Sequence, residues 1–318
     1  MAETNFILLT TYQLLEEQLQ MVHQLGQVVP WKEVENEAIA GKINGILCSS
    51  NDYVNDDLLK RLPNLKVVSN YSVGCDNVDP KAIANRSIQL GYTPASNADA
   101  VADFTFTLLL SSARLLIPGA KFWRSKETLG EDWLRLSGDV YRKTLGIIGM
   151  GAIGCKVAQR SLGFEMKVLY HSRRRKDSHT ESRLNATYCN LEDLLQQSDF
   201  VIVAVALTPD TVGIISRKEL QLMKKNAILI NISRGKTVDH DALVEALENK
   251  SIQGAALDVT EPEPLPLDHK LLTFDNVIIT PHMAWSTFDA LEHQFKMAID
   301  NLKCGLNDQK VPYPLELD

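Results

Sequence analysis

The run Gly149-Met150-Gly151-Ala152-Ile153-Gly154 constrains this chain of 318 residues more than any other feature. It follows an apolar, strand-like stretch at 144–148 and opens a helix-like stretch at 155–162. In that context the first glycine permits a tight turn, the second lets backbone approach a pyrophosphate, and the third lets helix and strand pack closely. The helix N-terminus adds free N–H donors and a positive dipole. The pattern predicts a dinucleotide site, the alternative being a glycine-rich turn that binds nothing.

The residues after the motif bear on which dinucleotide binds. The next predicted strand, at about 166–170, leads into His171-Ser172-Arg173-Arg174. A site for NAD commonly carries an acid about 20 residues beyond the glycines, where it binds the ribose 2′-OH. Here Ser172 holds that position, and the planar guanidinium groups of Arg173 and Arg174 suit a 2′-phosphate. We therefore predict that NADPH is preferred and leave NADH open; the alternative is a solvated basic loop.

Composition narrows the class of protein. The net charge of −7 disfavours binding to nucleic acid or to an anionic membrane. Residues 1–5 lack the basic and apolar character of a signal peptide, and the most apolar stretch, 104–117, is shorter than the roughly 20 residues that span a bilayer. The 5 cysteines are scattered, without metal-ligand spacing, so we expect reduced thiols, no metal and a cytoplasmic location.

Alternating strand and helix patterns run through the whole chain and predict parallel sheets with helices on both faces. The predicted strands of the first third lie at about 6–10, 45–48, 66–69 and 88–92. A turn at Thr93-Pro94-Ala95-Ser96-Asn97 precedes one long helix over about 98–116, which Pro118-Gly119 is expected to end. Further strands are predicted at about 144–149, 166–170, 199–205, 226–231, 254–258 and 276–280. The polar, tryptophan-containing segment 119–142 lacks a sheet pattern, and we interpret it as a dimerisation arm.

Three charged residues follow predicted strands of the second half. They are Arg234 in 231–235, Glu263 in 256–264 and His282 in 279–285. Ligands of doubly wound sheets bind outside the carboxyl ends of the strands, so these side chains form a candidate site for reducing a 2-oxo acid. The alternative for each residue is a solvated side chain on a loop.

The chain resembles the D-isomer-specific 2-hydroxyacid dehydrogenase family over nearly its whole length. Within that family it is most similar to the glyoxylate/hydroxypyruvate reductases, whose members commonly prefer NADPH. The matching blocks are Tyr71-Ser72-Val73-Gly74-Cys75-Asp76-Asn77-Val78-Asp79, Gly149 to Gly154, Asn231 to Gly235, Leu257 to Pro264, and Thr280 to Ala284.

The resemblance implies two doubly wound α/β domains with a cleft between them, and a homodimer. A flavodoxin-like substrate domain would comprise 1–97 and 286–318, and a Rossmann cofactor domain would comprise 98–285. It also implies that Arg234 binds substrate, that His282 is the acid/base with Glu263 as its partner, and that Val73 and Gly74 present N–H groups to the substrate carboxylate. The positions that would contact the cofactor are Gly149, Gly151, Ala152, Ile153, Gly154, Ser172, Arg173, Arg174, Val205, Ile232, Asp258 and Ala284.

These roles make chemical sense together. Hydride addition to the carbonyl carbon of a 2-oxo acid turns its oxygen into an alkoxide, to which a protonated His282 would donate. Glu263 would orient the imidazole and favour its charged form. Arg234 offers a planar fork to the substrate carboxylate. The predicted reaction reduces glyoxylate or hydroxypyruvate to the D-2-hydroxy acid.

Other functions stay open at this stage. They include a hydroxyphenylpyruvate, D-lactate or 3-phosphoglycerate type of dehydrogenase, and a dinucleotide-sensing scaffold of the corepressor kind. The loop 71–79 contains no arginine or lysine for a substrate phosphate, which ranks the phosphoglycerate type lower. Trp285 stands where the reductases often have smaller residues, so it either narrows the pocket or packs in the core. Cys75, in a glycine-containing loop, is either a reactive or an incidental thiol.

Overall fold

A computed structural model describes residues 6–10, 14–124 and 136–315, and for 123 and 124 it describes the backbone alone. The chain divides into two compact units, Met1–Asn97 with Thr287–Asp318, and Ala98–Ser286. The strands of the described residues are β1 Ile7–Thr10, β2 Gln27–Pro30, β3 Ile43–Cys48, β4 Val67–Asn70, β5 Gln89–Gly91, β6 Thr144–Ile148, β7 Lys167–His171, β8 Ala186–Tyr188, β9 Phe200–Val203, β10 Ile228–Asn231, β11 Gly254–Leu257 and β12 Val277–Ile279. The α-helices are α1 Glu16–His23, α2 Glu37–Ala40, α3 Asp56–Lys60, α4 Pro80–Ala84, α5 Ala98–Ala113, α6 Leu116–Arg124, α7 Ala152–Ser161, α8 Ser178–Leu184, α9 Leu191–Gln197, α10 Arg217–Leu222, α11 His240–Glu248 and α12 Phe288–Leu306.

The first unit is a parallel sheet of order β2-β1-β3-β4-β5. Helix α12, far along the chain, packs on this sheet: its Phe295 and Leu302 share one buried cluster with Leu47 and Val67. A buried hydrogen bond of 2.8 Å from Ser69 Oγ to the carbonyl oxygen of residue 298 fastens the helix to β4. The C-terminal helix therefore completes a unit that begins near residue 6.

The second unit is a parallel sheet of order β12-β11-β10-β9-β6-β7-β8. Its central strands β9 and β10 are buried at every position, as expected of apolar runs covered by helices on both faces. Along the chain, β7 and β8 are added on one side of β6, and β9 to β12 are added on its other side. The strand order therefore changes direction between β6 and β9, and ligands of such sheets bind at this switch point. The prediction of two parallel-sheet α/β units is confirmed.

The sequence pattern does not predict two short edge strands, β2 and β8. Strand β2 contains Pro30 and buries only Val29 completely, and β8 has three residues of mixed polarity. An edge strand needs one covered side and tolerates proline, so its sequence carries little periodic signal.

The prediction that Pro118-Gly119 ends one long helix is wrong. Helix α5 ends at Ala113, and Leu115 adopts a left-handed φ of 53° before α6 begins at Leu116. Pro118 then lies in the first turn of α6, where its missing N–H costs no helical bond. Residues 125–135 of the predicted dimerisation arm lie outside the described residues.

Within the described residues, no single helix has the length and apolarity to cross a membrane. One bent pair of helices, Ala98–Ala113 and Leu116–Phe122 with 60° between them, has the length and composition of a broken membrane span. Much of the apolar surface of α5, including Ala102, Phe106 and Leu109, belongs to the main buried cluster of the second unit.

Candidate active site

The glycine turn joins β6 to α7 in the second unit. Gly149 has φ 102°, and a side chain there would overlap the carbonyl of Ala204. A Cβ at Gly154 would overlap the carbonyl of Gly149, whereas a Cβ at Gly151 would meet nothing within 4 Å. Gly149 and Gly154 therefore serve close backbone packing, and Gly151 leaves open space at the N-terminus of a helix of ten residues. This is the cradle that a pyrophosphate requires.

The basic loop begins where β7 ends, beside the glycine turn. The backbone N–H of Gly149 donates to the carbonyl oxygen of His171 at 2.8 Å, which holds the two strand ends together. Ser172 Oγ donates to the carbonyl oxygen of Arg174 at 2.7 Å. Among the described residues, no hydrogen-bonding or ionic partner binds the exposed guanidinium groups of Arg173 and Arg174. Both groups are available to an anion.

The remaining predicted cofactor positions line the same edge of the sheet. Ala152 and Ile153 open α7, and Val205 and Ile232 follow β9 and β10. Ile153 and Val205 are partly buried, while Ile232 and Ala284 are buried in the main cluster. Strands β6, β9, β10 and β12 are parallel, so these predicted positions follow carboxyl ends at one edge of one sheet.

Asp258 follows β11 and organises the loop that carries His282. Its Oδ1 accepts the hydroxyl of Thr280 at 2.7 Å and the N–H of Met283 at 2.9 Å, and its Oδ2 accepts the N–H of Ala284 at 2.9 Å. The residue is 1% exposed. The N–H of His282 in turn donates to the carbonyl oxygen of Asp258 at 2.8 Å. The buried carboxylate fixes the backbone of residues 280–284, and sequence reasoning assigned it no such role.

His282 and Glu263 form a close polar pair in the site. His282 Nδ1 lies 2.6 Å from Glu263 Oε1, and His282 adopts a left-handed φ of 52°. Burial raises the pKa of the Glu263 carboxyl, but the hydrogen bond and charge of His282, with the charge of Arg234, leave that pKa below its usual value. Glu263 is therefore a carboxylate at neutral pH. Because it occupies Nδ1, the ring nitrogen left for another partner is Nε2.

Arg234 follows β10, and two side chains of the same turn bind its carbonyl oxygen. Asn231 Nδ2 and Thr237 Oγ1 donate to the carbonyl oxygen of Arg234 at 3.0 and 2.6 Å. The next residue, Gly235, lies so close to Thr260 that a side chain there would overlap the Thr260 carbonyl. The loops after β10 and β11 are thus in backbone contact, which places the charge of Arg234 near Glu263.

Val73 and Gly74 lie after β4 in the first unit, apart in sequence from the residues above. Two buried amides hold their loop: Asn70 Nδ2 donates to the carbonyl oxygen of Gly74 at 2.8 Å, and Asn77 Nδ2 donates to the carbonyl oxygens of Ser49 and Asp52, both at 2.9 Å. Sequence reasoning missed both asparagines. Cys75, half-buried, lies 3.5 Å from Asn70 Nδ2 through its Sγ.

Sequence reasoning also missed His240, the first residue of α11. Its Nδ1 lies 3.0 Å from the carbonyl oxygen of Glu261, in the loop that leads to Glu263. Its Nε2 is buried, and no described residue offers it a hydrogen-bond partner. Burial lowers the pKa of His240, and the bond to the Glu261 carbonyl only partly opposes this. The available signal was a histidine at a predicted helix start.

Trp285 is partly buried and packs against the main apolar cluster of the second unit. Among the described residues, no group of three His, Cys, Asp or Glu side chains is placed to hold a metal ion.

A doubly wound sheet with a glycine turn, a basic loop and an Arg/Glu/His set at its carboxyl edge defines a dinucleotide-dependent oxidoreductase. Residues 106–284 match the family model for the D-isomer specific 2-hydroxyacid dehydrogenase, NAD binding domain. The chain belongs to the D-isomer specific 2-hydroxyacid dehydrogenase family. It is an NAD(P)-dependent dehydrogenase, and the resemblance read from its motifs is confirmed.

Similar proteins point to one activity. The chain is 41% identical to a glyoxylate reductase of Pyrococcus horikoshii, over 92% of this chain and 90% of the relative. It is 41% identical to glyoxylate/hydroxypyruvate reductase B of Shigella dysenteriae, over 88% and 87%. Its fold matches the crystal structure of an NADPH-dependent glyoxylate/hydroxypyruvate reductase from Sinorhizobium meliloti in complex with NADP and malonate, with TM-score 0.87, 30% identity, and coverage of 98% and 97%. These relatives support a reductase of 2-oxo acids.

Proposed function

We propose that the protein reduces glyoxylate, hydroxypyruvate or a similarly small 2-oxo acid to the D-2-hydroxy acid, with NADPH as the preferred cofactor. The observation that carries this proposal is the 2.6 Å contact between His282 Nδ1 and Glu263 Oε1, with the charge of Arg234 nearby. The relatives named glyoxylate or glyoxylate/hydroxypyruvate reductase support the choice of substrate.

The residues at the glycine turn fit a dinucleotide. The open space at Gly151 and the N–H groups at the start of α7 suit the pyrophosphate. Asp258 Oδ2 accepts the N–H of Ala284, and its second lone pair suits an amide donor. When bound, the nicotinamide supplies the hydride for the reduction.

His282 acts as the proton donor to the substrate oxygen. Glu263 holds Nδ1, so that Nε2 is the ring nitrogen from which a proton is delivered. Arg234 binds the substrate carboxylate with two parallel N–H donors and stabilises negative charge on the carbonyl oxygen. The resemblance assigns backbone N–H groups of Val73 and Gly74 to a substrate carboxylate, and that assignment stays a prediction.

The preference for NADPH follows from the loop after β7. Ser172 replaces the acid that would repel a 2′-phosphate, and Arg173 and Arg174 offer guanidinium groups that no described residue engages. The partner expected besides the substrate is a second copy of the chain, as a homodimer in the cytoplasm.

The proposal is tested by following the loss of reduced-nicotinamide absorbance with glyoxylate and hydroxypyruvate, separately with NADPH and NADH. Fast turnover with NADPH is expected. Faster turnover with NADH would overturn the cofactor preference and leave the reaction intact. Absence of turnover with either substrate, alongside measurable NADPH binding, would overturn the substrate choice and favour another 2-oxo acid or a nucleotide-sensing scaffold. Sedimentation of the same sample tests the homodimer.

A further inference from the structure

The carboxylate of Glu181, on α8, is bound to the loop between β7 and α8. Arg175 binds it in a bidentate ion pair: Nε donates to Oε1 at 2.9 Å and Nη2 donates to Oε2 at 2.8 Å. The Glu181 side chain is 12% exposed, and that of Arg175 is 64% exposed. Arg175, the third arginine of the run Arg173-Arg174-Arg175, is therefore ion-paired with Glu181 of the same unit.

Tyr170, in β7, hydrogen-bonds both Glu181 and the backbone of the loop. Its hydroxyl donates to Glu181 Oε1 at 2.7 Å and accepts the backbone N–H of Lys176 at 2.8 Å. The ring is fully buried, and burial, together with the bond to Glu181, raises the pKa of Tyr170 to about 12. The hydroxyl therefore stays neutral and fixes the end of the loop that starts at Ser172.

We infer that Arg175 determines cofactor specificity by neutralising Glu181, and does not itself bind the 2′-phosphate. The inference rests on the proposed preference for NADPH. A carboxylate at the end of this strand, where Ser172 stands in this chain, is the feature by which a site rejects a 2′-phosphate. Glu181 lies on α8 and is bonded to the Tyr170 hydroxyl of the same strand, so it is a second carboxylate near this loop, with its charge cancelled. The fork at 2.9 and 2.8 Å cancels it, and leaves Arg173 and Arg174 to meet the anion.

The alternative role for Arg175 is a direct contact with the phosphate, and a double substitution separates the two. Arg175→Ala removes the cation and uncovers the acid. Arg175→Ala combined with Glu181→Gln removes both charges, and the introduced glutamine amide retains an oxygen that can accept the Tyr170 hydroxyl.

The measurements are the ratio of kcat/KM for NADPH to that for NADH, and the inhibition constants of adenosine 2′,5′-bisphosphate and adenosine 5′-monophosphate. For R175A we expect a loss of about tenfold in the ratio and in relative affinity for the bisphosphate, as for one uncompensated charge near a dianion at the protein surface. For R175A/E181Q we expect recovery to within about threefold of the original protein. A double variant that stays as poor as R175A would overturn the inference.

Arg142→Ala is a matched control. Arg142 is 67% exposed and paired with Glu165 at 2.9 Å in the same unit, but it precedes the amino end of β6, whereas the basic loop follows the carboxyl end of β7. It changes the net charge as R175A does, and its cofactor ratio should stay unchanged. Equal losses for NADPH and NADH in R175A would show a structural role only and would also overturn the inference.

If the proposed preference for NADPH is wrong, the measurements give a different result from a failure of the inference about Arg175. The unsubstituted protein would then use NADH as well as NADPH, whatever the variants do. The change in the ratio between R175A and R175A/E181Q still reports whether Glu181 repels the 2′-phosphate when uncovered.

Discussion

His240 Nδ1 lies 3.0 Å from the carbonyl oxygen of Glu261, two residues before Glu263 in the same loop. The imidazole therefore ties the start of α11 to the segment that carries Glu263, the carboxylate that we propose to be catalytic. We expect His240 to act as a positioning residue, because its contact is with the loop and not with the proposed reacting groups.

Replacing His240 by alanine should lower kcat by roughly three- to thirtyfold, since small displacements of a catalytic group are costly. His240→Asn should retain most activity, because an asparagine amide can place an N–H donor close to the position of the imidazole Nδ1. Steady-state rates across pH, with thermal melting of each variant as the control, check this. Equal loss of kcat in both variants would assign His240 to packing alone.

The same histidine makes stability depend on pH. Its pKa is lowered in the folded state by burial, so the unfolded chain takes up this proton first as pH falls. The stabilisation is present above the ordinary histidine pKa of about 6.5 and is lost as pH falls through the lower folded value. Relative to His240→Asn, the original protein should lose at most about 1.4 kcal/mol of unfolding free energy per pH unit as pH falls from about 6.5 to the lower folded pKa of His240. Urea unfolding at several pH values measures the difference, and parallel curves would contradict it.

His282→Ala should reduce kcat by roughly 10²–10⁴, the usual contribution of an acid/base residue. Glu263→Gln should also lower kcat but by less, because glutamine keeps a hydrogen bond to His282 Nδ1 and loses only the charge. Stopped-flow turnover measures both variants. An unchanged kcat in H282A would remove His282 from the mechanism, and fluorescence titration with NADPH serves as the control for cofactor binding.

Arg234→Lys should lower kcat/KM for the 2-oxo acid, because a point charge cannot reproduce a planar fork on a carboxylate. Lys236→Arg, two residues further along, is a conservative exchange at an exposed position and controls for the change of cation type. Kinetics with glyoxylate at saturating NADPH provide the comparison. If R234K matched the original protein, Arg234 would have no bidentate role.

Asp258→Asn should destabilise the second unit by about 1–3 kcal/mol, since one buried N–H donor then faces an amide that cannot accept. The carboxylate accepts from Thr280, Met283 and Ala284, and an asparagine offers a single oxygen to these donors. Chemical denaturation measures the loss. An unchanged midpoint would mean that the loop of His282 does not depend on this anchor.

Much of this molecule could be predicted from its sequence because the decisive signals are local. The glycine turn needs only Gly149, Gly151 and Gly154 between a strand and a helix, and the candidate site residues are recognisable because they follow apolar strands. What escaped prediction depends on distant contacts. Nothing near His240 in sequence indicates that it reaches Glu261. Nothing in a run of three arginines indicates that Arg175 is the one with a partner among the described residues.

The edge strands β2 and β8 were hidden for a different reason. A strand that is covered on one side and bounded by proline or polar residues lacks the alternation or the long apolar run that indicates a strand. The break at Leu115 was missed because proline in a first helical turn looks, in sequence, like proline after a last one.

The packing of α12 on the first sheet has a consequence for biosynthesis. Leu47 and Val67 emerge early from the ribosome, but Phe295 and Leu302, which cover them, emerge more than two hundred residues later. All core residues of the unit 98–286 are synthesised before Phe295 and Leu302. During translation, the second unit can therefore fold while the earlier segment still waits with an uncovered apolar face, a natural substrate for chaperones.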